Sequence, residues 1–276
     1  MCKALLYTLF FVSAAINSFG QVPSGPHAFV GNAFVSNDTP AFAPPEPALP
    51  RMAPELALQI YEQRTVEQDS KLVEYSDQTV VEAELPDTSQ KGAYELVRNY
   101  SARPRQLSFR TVKYTGDSFV KTNVITRLLQ SEVDHVQKGD PAASAINEKN
   151  YKIAYKGTEY LGEHLTHVYQ LKPRHKSPDL FKGKIYVDAY TGSLRRAEGT
   201  VSKSPSFFIR KIDFVQDFDD INGFTVPVAM HSTTKARIIG RAIVSVFHRG
   251  YTLKPAPAPS NAMMQDFAKS LMQEIY

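Results

Sequence analysis

Apolar and polar positions alternate along most of this chain. VEYSDQTVVEAEL, GAYELVRNYSA and RQLSFRTVKYTG follow one another with short polar breaks, the period of strands that bury one face. From residue 150 the pattern returns and scarcely stops: NYKIAYKG, HLTHVYQLKP, LFKGKIYVDA, GSLRRAEGTVSK, FFIRKIDFVQDF, GFTVPVAMHSTTK and IIGRAIVSVFHRGYTL. Asp188-Ala189-Tyr190-Thr191-Gly192 and Asp219-Asp220-Ile221-Asn222-Gly223 are hairpin signals, since glycine adopts positive φ freely. Strands that succeed each other without intervening helices predict an antiparallel meander rather than βαβ units. The expected class is mainly β (α+β), a large curled sheet of about ten strands.

Three stretches follow a helical period instead. PELALQIYEQRTVEQDSKL places Pro54 in a first turn, with Leu56, Ile60 and Tyr61 on one face and Leu58 beside it. SFVKTNVITRLLQSEVDHVQKG brings Val120, Val124, Leu128 and Leu129 to one side, then Val133 and Val136, and stops at Gly139 and Pro141. GDPAASAINEKN, next, reads as loop or a short second helix. At the C-terminal end, Ser260 caps an amphipathic run of Met263, Phe267, Leu271 and Ile275 beyond a Pro-Ala hinge. It suits a helix docked on the sheet, or a tethered plug or partner-binding helix.

Composition changes the picture at the N-terminal end. Lys3, an apolar run from Ala4 to Ile16 and small residues at Ser18 and Gly20 predict a signal peptide cut after Gly20. The run is shorter than the roughly 20 residues of a spanning helix, although an uncleaved anchor is the rival reading. The single cysteine, Cys2, lies inside that segment, so the exported chain would have no disulfide, no thiolate site and no cysteine to acylate. Residues 21–54, rich in Pro, Ala and Gly, read as an extended arm. The expected organisation is a signal peptide over 1–20, the arm over 21–54, a domain over 55–253, and the hinge with its helix over 254–276.

A net charge of +4, spread over 32 basic and 28 acidic residues without a basic block, gives no nucleic-acid partner. No catalytic constellation stands out either. His164 and His167 are three apart on a strand, which turns them to opposite sides. The Asp217–Gly223 stretch has its glycine one place late for a calcium loop and lacks the closing glutamate. Gly-x-Ser-x-Gly, phosphate-loop and dinucleotide motifs are missing from the sequence. The reading is therefore of a protein without catalytic residues, metal or cofactor.

What the sequence does offer is apolar strand surface. Phe224, Val226, Val228 and Met230 share one strand face; Phe208, Ile212, Phe214 and Phe218 share another, together with Arg210. Gly183, in LFKGKIYVDA, marks a point where a sheet can bend. A half-closed barrel with helices across its mouth would bury these faces, around its own side chains or around a ligand.

The order of elements resembles the LolA/LolB-like periplasmic lipoprotein carriers: leader, helix, three strands, a helical interruption, then a long strand series. The most similar part runs from LFKGKIYVDAYTGSLRRAEGTV through the Asn-Gly-Phe-x-x-Pro entry of the next strand to MHS. The resemblance implies an open, strongly curved antiparallel half-barrel of ten or eleven strands whose covering helices close an apolar cavity for acyl chains. It also implies a soluble periplasmic carrier of a lipid or acylated lipoprotein. Carriers of this kind keep an arginine in the cavity that bonds to the lid. Arg210 is the candidate by residue type, but its strand does not match that position, so the role is not transferred. The cavity and lid residues nominated are Val120, Val124, Leu128, Leu129, Phe208, Arg210, Ile212, Phe214, Phe224, Val226 and Val228. A second reading, from the Phe-bearing arm and the C-terminal helix, is an envelope scaffold or sensor that uses the same fold to bind a protein partner.

Overall fold

The structure is a computed structural model that describes residues 50–237 and 240–257. Ten strands form one antiparallel sheet in the order β3-β2-β1-β10-β9-β8-β7-β6-β5-β4. The strands are β1 (Leu72–Leu85), β2 (Gln90–Ala102), β3 (Arg105–Gly116), β4 (Tyr151–Leu161), β5 (His164–Pro173), β6 (Phe181–Asp188), β7 (Leu194–Val201), β8 (Ile209–Ile221), β9 (Phe224–Ala236) and β10 (Arg241–Pro255). Two meanders, β1–β3 and β4–β10, meet where β1 pairs with β10. The sheet does not close. Its free edges are β3 and β4, consecutive in sequence, so the chain between them must travel from one edge to the other.

That connection is helical: α2 (Ser118–Val120), a π-helical turn (Lys121–Ile125), α3 (Thr126–Lys138) and α4 (Pro141–Ser144). The other helix, α1 (Pro54–Lys71), precedes β1 with Pro54 in its first turn. Of the face expected from spacing, Tyr61 is buried and Ile60 and Leu58 are half-buried, whereas Leu56 is exposed and Ala57 is buried in its stead. The helix is held across β5–β9 by specific contacts. Tyr169 donates to the Pro54 carbonyl, Gln68 pairs with both the N–H and C=O of Thr225, and Arg64 reaches Asp220.

Three apolar clusters line one face of the sheet; along β5 and β6 the other face is buried as well, at Thr166, Val168 and Tyr186. The α2–α3 segment packs on β1, β2 and β8–β10 through Val120, Val124, Ile125, Leu128 and Leu129. α1 packs on β4–β8 through Ala57 and Tyr61. Leu72, Tyr75, Tyr100, Leu107, Val136 and Val226 form the third. Among the described residues no helix is long and apolar enough to cross a membrane. The residues read as signal peptide, and most of the arm and of the C-terminal segment, lie outside those described.

Two local devices shape the sheet. Asn222 and Gly223 both take positive φ, giving the tight β8–β9 hairpin that the sequence predicts. Gly183 and Gly199 face each other across β6 and β7, where a methyl on Gly183 would run into the Glu198 carbonyl oxygen. Close backbone approach there leaves room for Phe214, opposite Gly199, to stand edge-on against Phe181. Gly183→Ala is accordingly expected to destabilise the fold by about 2 kcal/mol, read as a lower urea midpoint at unchanged slope. An unchanged midpoint would show that the strands can separate freely at this point.

Candidate functional site

The cation in the apolar face is Arg98, not Arg210. At the start of β8 a bulge lets two residues oppose one on β9, with Ile209 against Ala236 and Lys211 against Lys235. The extra residue shifts the alternation, so Ile209 and Ile212 are both buried while Arg210 faces solvent. Phe208 precedes the strand and is exposed. The remaining nominated residues are buried or half-buried, though in three groups. Val120, Val124, Leu128, Leu129 and Ile212 lie in the α2–α3 cluster, Phe214 in the α1 cluster, and Phe224, Val226 and Val228 in the third.

Arg98, on β2, is 1% exposed, and each guanidinium nitrogen has a partner. Nε donates to Asp77 Oδ2 at 2.7 Å, Nη1 to Glu132 Oε1 of α3 at 3.1 Å, and Nη2 to the Tyr251 hydroxyl at 2.8 Å. Tyr251 passes the chain on to the Pro227 carbonyl. Strand register accounts for the geometry. Asp77 is directly opposite Arg98, and Thr79, two residues along the same face, is opposite His248 of β10. Tyr75 and Tyr100 stack at 4.9 Å, and the Arg98 charge lies 5.2 Å from the Tyr75 ring centroid. One hydrogen-bonded set thus joins β1, β2, β10 and the covering helix.

Its electrostatics are ranked. Burial works against the Asp77 carboxylate, but Arg98, His248 and Thr79 outweigh it and bring its pKa down to about 2. Burial, helped by the Arg98 charge, brings His248 down to about 4. His248 is therefore neutral at pH 7 and donates from Nδ1 to Asp77 Oδ1, at 3.1 Å. Glu132 is raised above the ordinary carboxylate range, because burial outweighs what Arg98 returns. Asp77 is the primary counter-ion, and the carboxylate on the covering helix is the weaker partner.

A cleft of about 140 Å³ opens beside α1, lined by Tyr61, Gln68, Ile146, Gly192 and Thr225 among others. That is close to the 150 Å³ or so that admits a single benzene ring.

No family model matches the sequence, and no curated protein matches it significantly. Solved structures to which the chain is similar include a DUF1329 family protein from Desulfovibrio piger, 9% identical with a TM-score of 0.39, the match covering 74% of this chain and 94% of that one. Another is a domain assigned to outer membrane lipoprotein sorting from Vibrio parahaemolyticus, 9% identical with a TM-score of 0.37, covering 78% and 99%. A LolA superfamily protein from Nitrosomonas europaea is 11% identical with a TM-score of 0.34, covering 75% and 96%. The group named from strand order in the sequence is thus among the structural neighbours.

Arg98→Met leaves Asp77 charged and buried, and is expected to cost about 3–5 kcal/mol in chemical denaturation. Adding Asp77→Asn should recover a good part of that loss. Additive damage in the double variant would mean that the two side chains act separately. His248 predicts a pH dependence. The unfolded chain takes up its proton near the ordinary 6.5 and the fold only near 4, so stability falls as pH drops through that window, by on the order of 3 kcal/mol. Glu132, shifted upward, opposes part of this. Removing the histidine by His248→Gln should narrow the stability gap between the two proteins from pH 7 to pH 4; a constant gap would contradict the buried neutral histidine.

Proposed function

We propose that this protein is a non-enzymatic carrier that takes acyl chains, of a lipid or an acylated protein, between its sheet and the α2–α3 segment, in the periplasm of an exporting cell. The observation that carries the reading is the way the covering segment is held. Hydrogen bonds fix its two ends, Asp117 to Lys91 at one and Arg105 to the Gly139 carbonyl at the other. Between them it meets the strands mainly through aliphatic side chains, with the Arg98–Glu132 pair and the Lys121 ammonium, 5.3 Å and 4.9 Å from the Tyr94 and Tyr114 rings, as its charged contacts. A π-helical turn, an arrangement frequent at functional sites, interrupts the helix within its apolar face, at Val124 and Ile125.

Magnitudes make exchange feasible. Withdrawing Val120, Val124, Ile125, Leu128 and Leu129 from the strands exposes five aliphatic side chains, which costs about 10 kcal/mol at about 2 kcal/mol each. An acyl chain of about 16 carbons recovers about 12 kcal/mol at 0.8 kcal/mol per methylene. Cargo and covering segment are near-equal competitors for one apolar surface, the condition for loading that can be reversed. The Arg98–Glu132 pair sets the balance, since the segment cannot leave without separating a buried charge pair.

The test is uptake of a fluorescent fatty acid, with mass analysis of lipid extracted from the purified protein. Saturable uptake is expected, faster by several-fold in Glu132→Gln, which keeps the side chain's shape and loses its charge. A folded wild type that carries no acyl material and takes up no probe would sink the reading.

A further inference from the structure

Two buried side chains outside the networks described so far, Thr234 on β9 and Gln216 on β8, have polar atoms with no hydrogen-bond partner among the described residues, and Gln216 has both an unmatched donor and an unmatched acceptor. Gln216, on β8, has 0% exposure, and among the described residues neither its amide nitrogen nor its amide oxygen has a hydrogen-bond partner. Its surroundings explain why. Along β8 the neighbours on the same face are Phe214 and Phe218. Across the ladders it faces Met230 on β9 and Ala197 on β7. None of these four side chains offers a strong donor or acceptor.

An unmatched amide in such a place is unfavourable, and a methionine of similar length would fill the space without penalty. The position is also particular. Met230 belongs to the cluster under α2–α3, whereas Ala197, Phe214 and Phe218 belong to the cluster under α1. Gln216 therefore sits at the seam between the two coverings, where a guest lying on the sheet passes from one helix to the other.

We infer that Gln216 is a recognition point for a polar group carried within an otherwise apolar guest, and that this group supplies both an acceptor and a donor. This rests on the carrier reading and adds the class of cargo. Gln216 presents one N–H pair and one carbonyl oxygen. An alkane satisfies neither, and an ester supplies an acceptor alone. The carboxylate of an ionised fatty acid is likewise acceptor-only, and it brings a charge into an apolar site. An amide-linked acyl chain satisfies both sides of Gln216 and remains neutral. N-acylated molecules are the chemistry that fits.

The experiment uses three guests of one chain length, dodecane, methyl dodecanoate and N-methyldodecanamide, each displacing a fluorescent hydrocarbon probe from the full chain at pH 7. After correction for each guest's partition between water and an alkane, the wild type is expected to favour the amide over dodecane by about tenfold or more, with the ester between them. In Gln216→Met the preference should collapse to within about twofold while dodecane binds as before. Without guest, the variant should melt at a higher temperature than the wild type, because a buried unmatched amide has been removed. Equal corrected affinities for the three guests in the wild type, or a preference that survives in Gln216→Met, would overturn the assignment and leave the carrier reading standing. Failure of all three to displace the probe, or of the probe to bind, would overturn the carrier reading and this assignment together.

Discussion

An open antiparallel sheet with one apolar face has to be covered, and among the described residues no second sheet is present to do it. Everything else in the architecture follows from that constraint. The two meanders join in the middle of the sheet, through β1 and β10, and so leave their outer strands, β3 and β4, at opposite edges. Since those two strands are sequence neighbours, the segment that links them must cross the face, and its own apolar residues become the cover. α1 fills the remaining half. The core is thus an interface between a sheet and helices bound to it mostly by side chains, unlike strand pairing, where the backbone is committed.

Such an interface is a demanding place for a charge. Arg98 is tolerated because strand register puts Asp77 directly opposite, with Thr79 and His248 arranged to hold that carboxylate. The second carboxylate, Glu132, is not required to neutralise Arg98, and its raised pKa reflects a position that burial disfavours. Its consequence is to attach the covering helix to an ion pair that is already complete. Removing Asp77 would therefore disturb the sheet, whereas removing Glu132 acts on the cover.

How much of this was legible in the sequence depended on whether the alternation was uninterrupted. The strands of the meander, both hairpin turns and the helical crossing stand in the residues themselves, because each is a local pattern that packing reinforced. Arg210 was misplaced by a single bulged residue, which inverts the faces upstream of it and which composition does not announce. Arg98 was equally visible, in the alternation of Tyr94, Leu96, Arg98 and Tyr100 in AYELVRNYS, and β2 has no bulge to disturb that run against β1. It was passed over because a lone arginine in a strand is ordinary; what sets it apart is Asp77, 21 residues away and paired only by register. On α1 the spacing finds Tyr61 but takes Leu56 where Ala57 is the buried residue. Ala57 is small, and what buries it is the sheet beneath, not its own hydrophobicity.

The two kinds of buried polar group on this face differ in a way that bears on function. Arg98 is satisfied entirely from within the fold, so its place is fixed whether or not anything is bound. Gln216 is satisfied by nothing among the described residues. Four strand spacings separate β2 from β8, about 19 Å across the sheet, and aliphatic side chains from β1, β9, β10 and the covering segment lie between. A guest laid along that path would meet apolar surface for most of its length, a completed ion pair at one end and an open hydrogen-bonding group at the other. On the carrier reading proposed above, the asymmetry would give the path a direction: the charged end would govern whether the cover lifts, and the amide end would read what has entered.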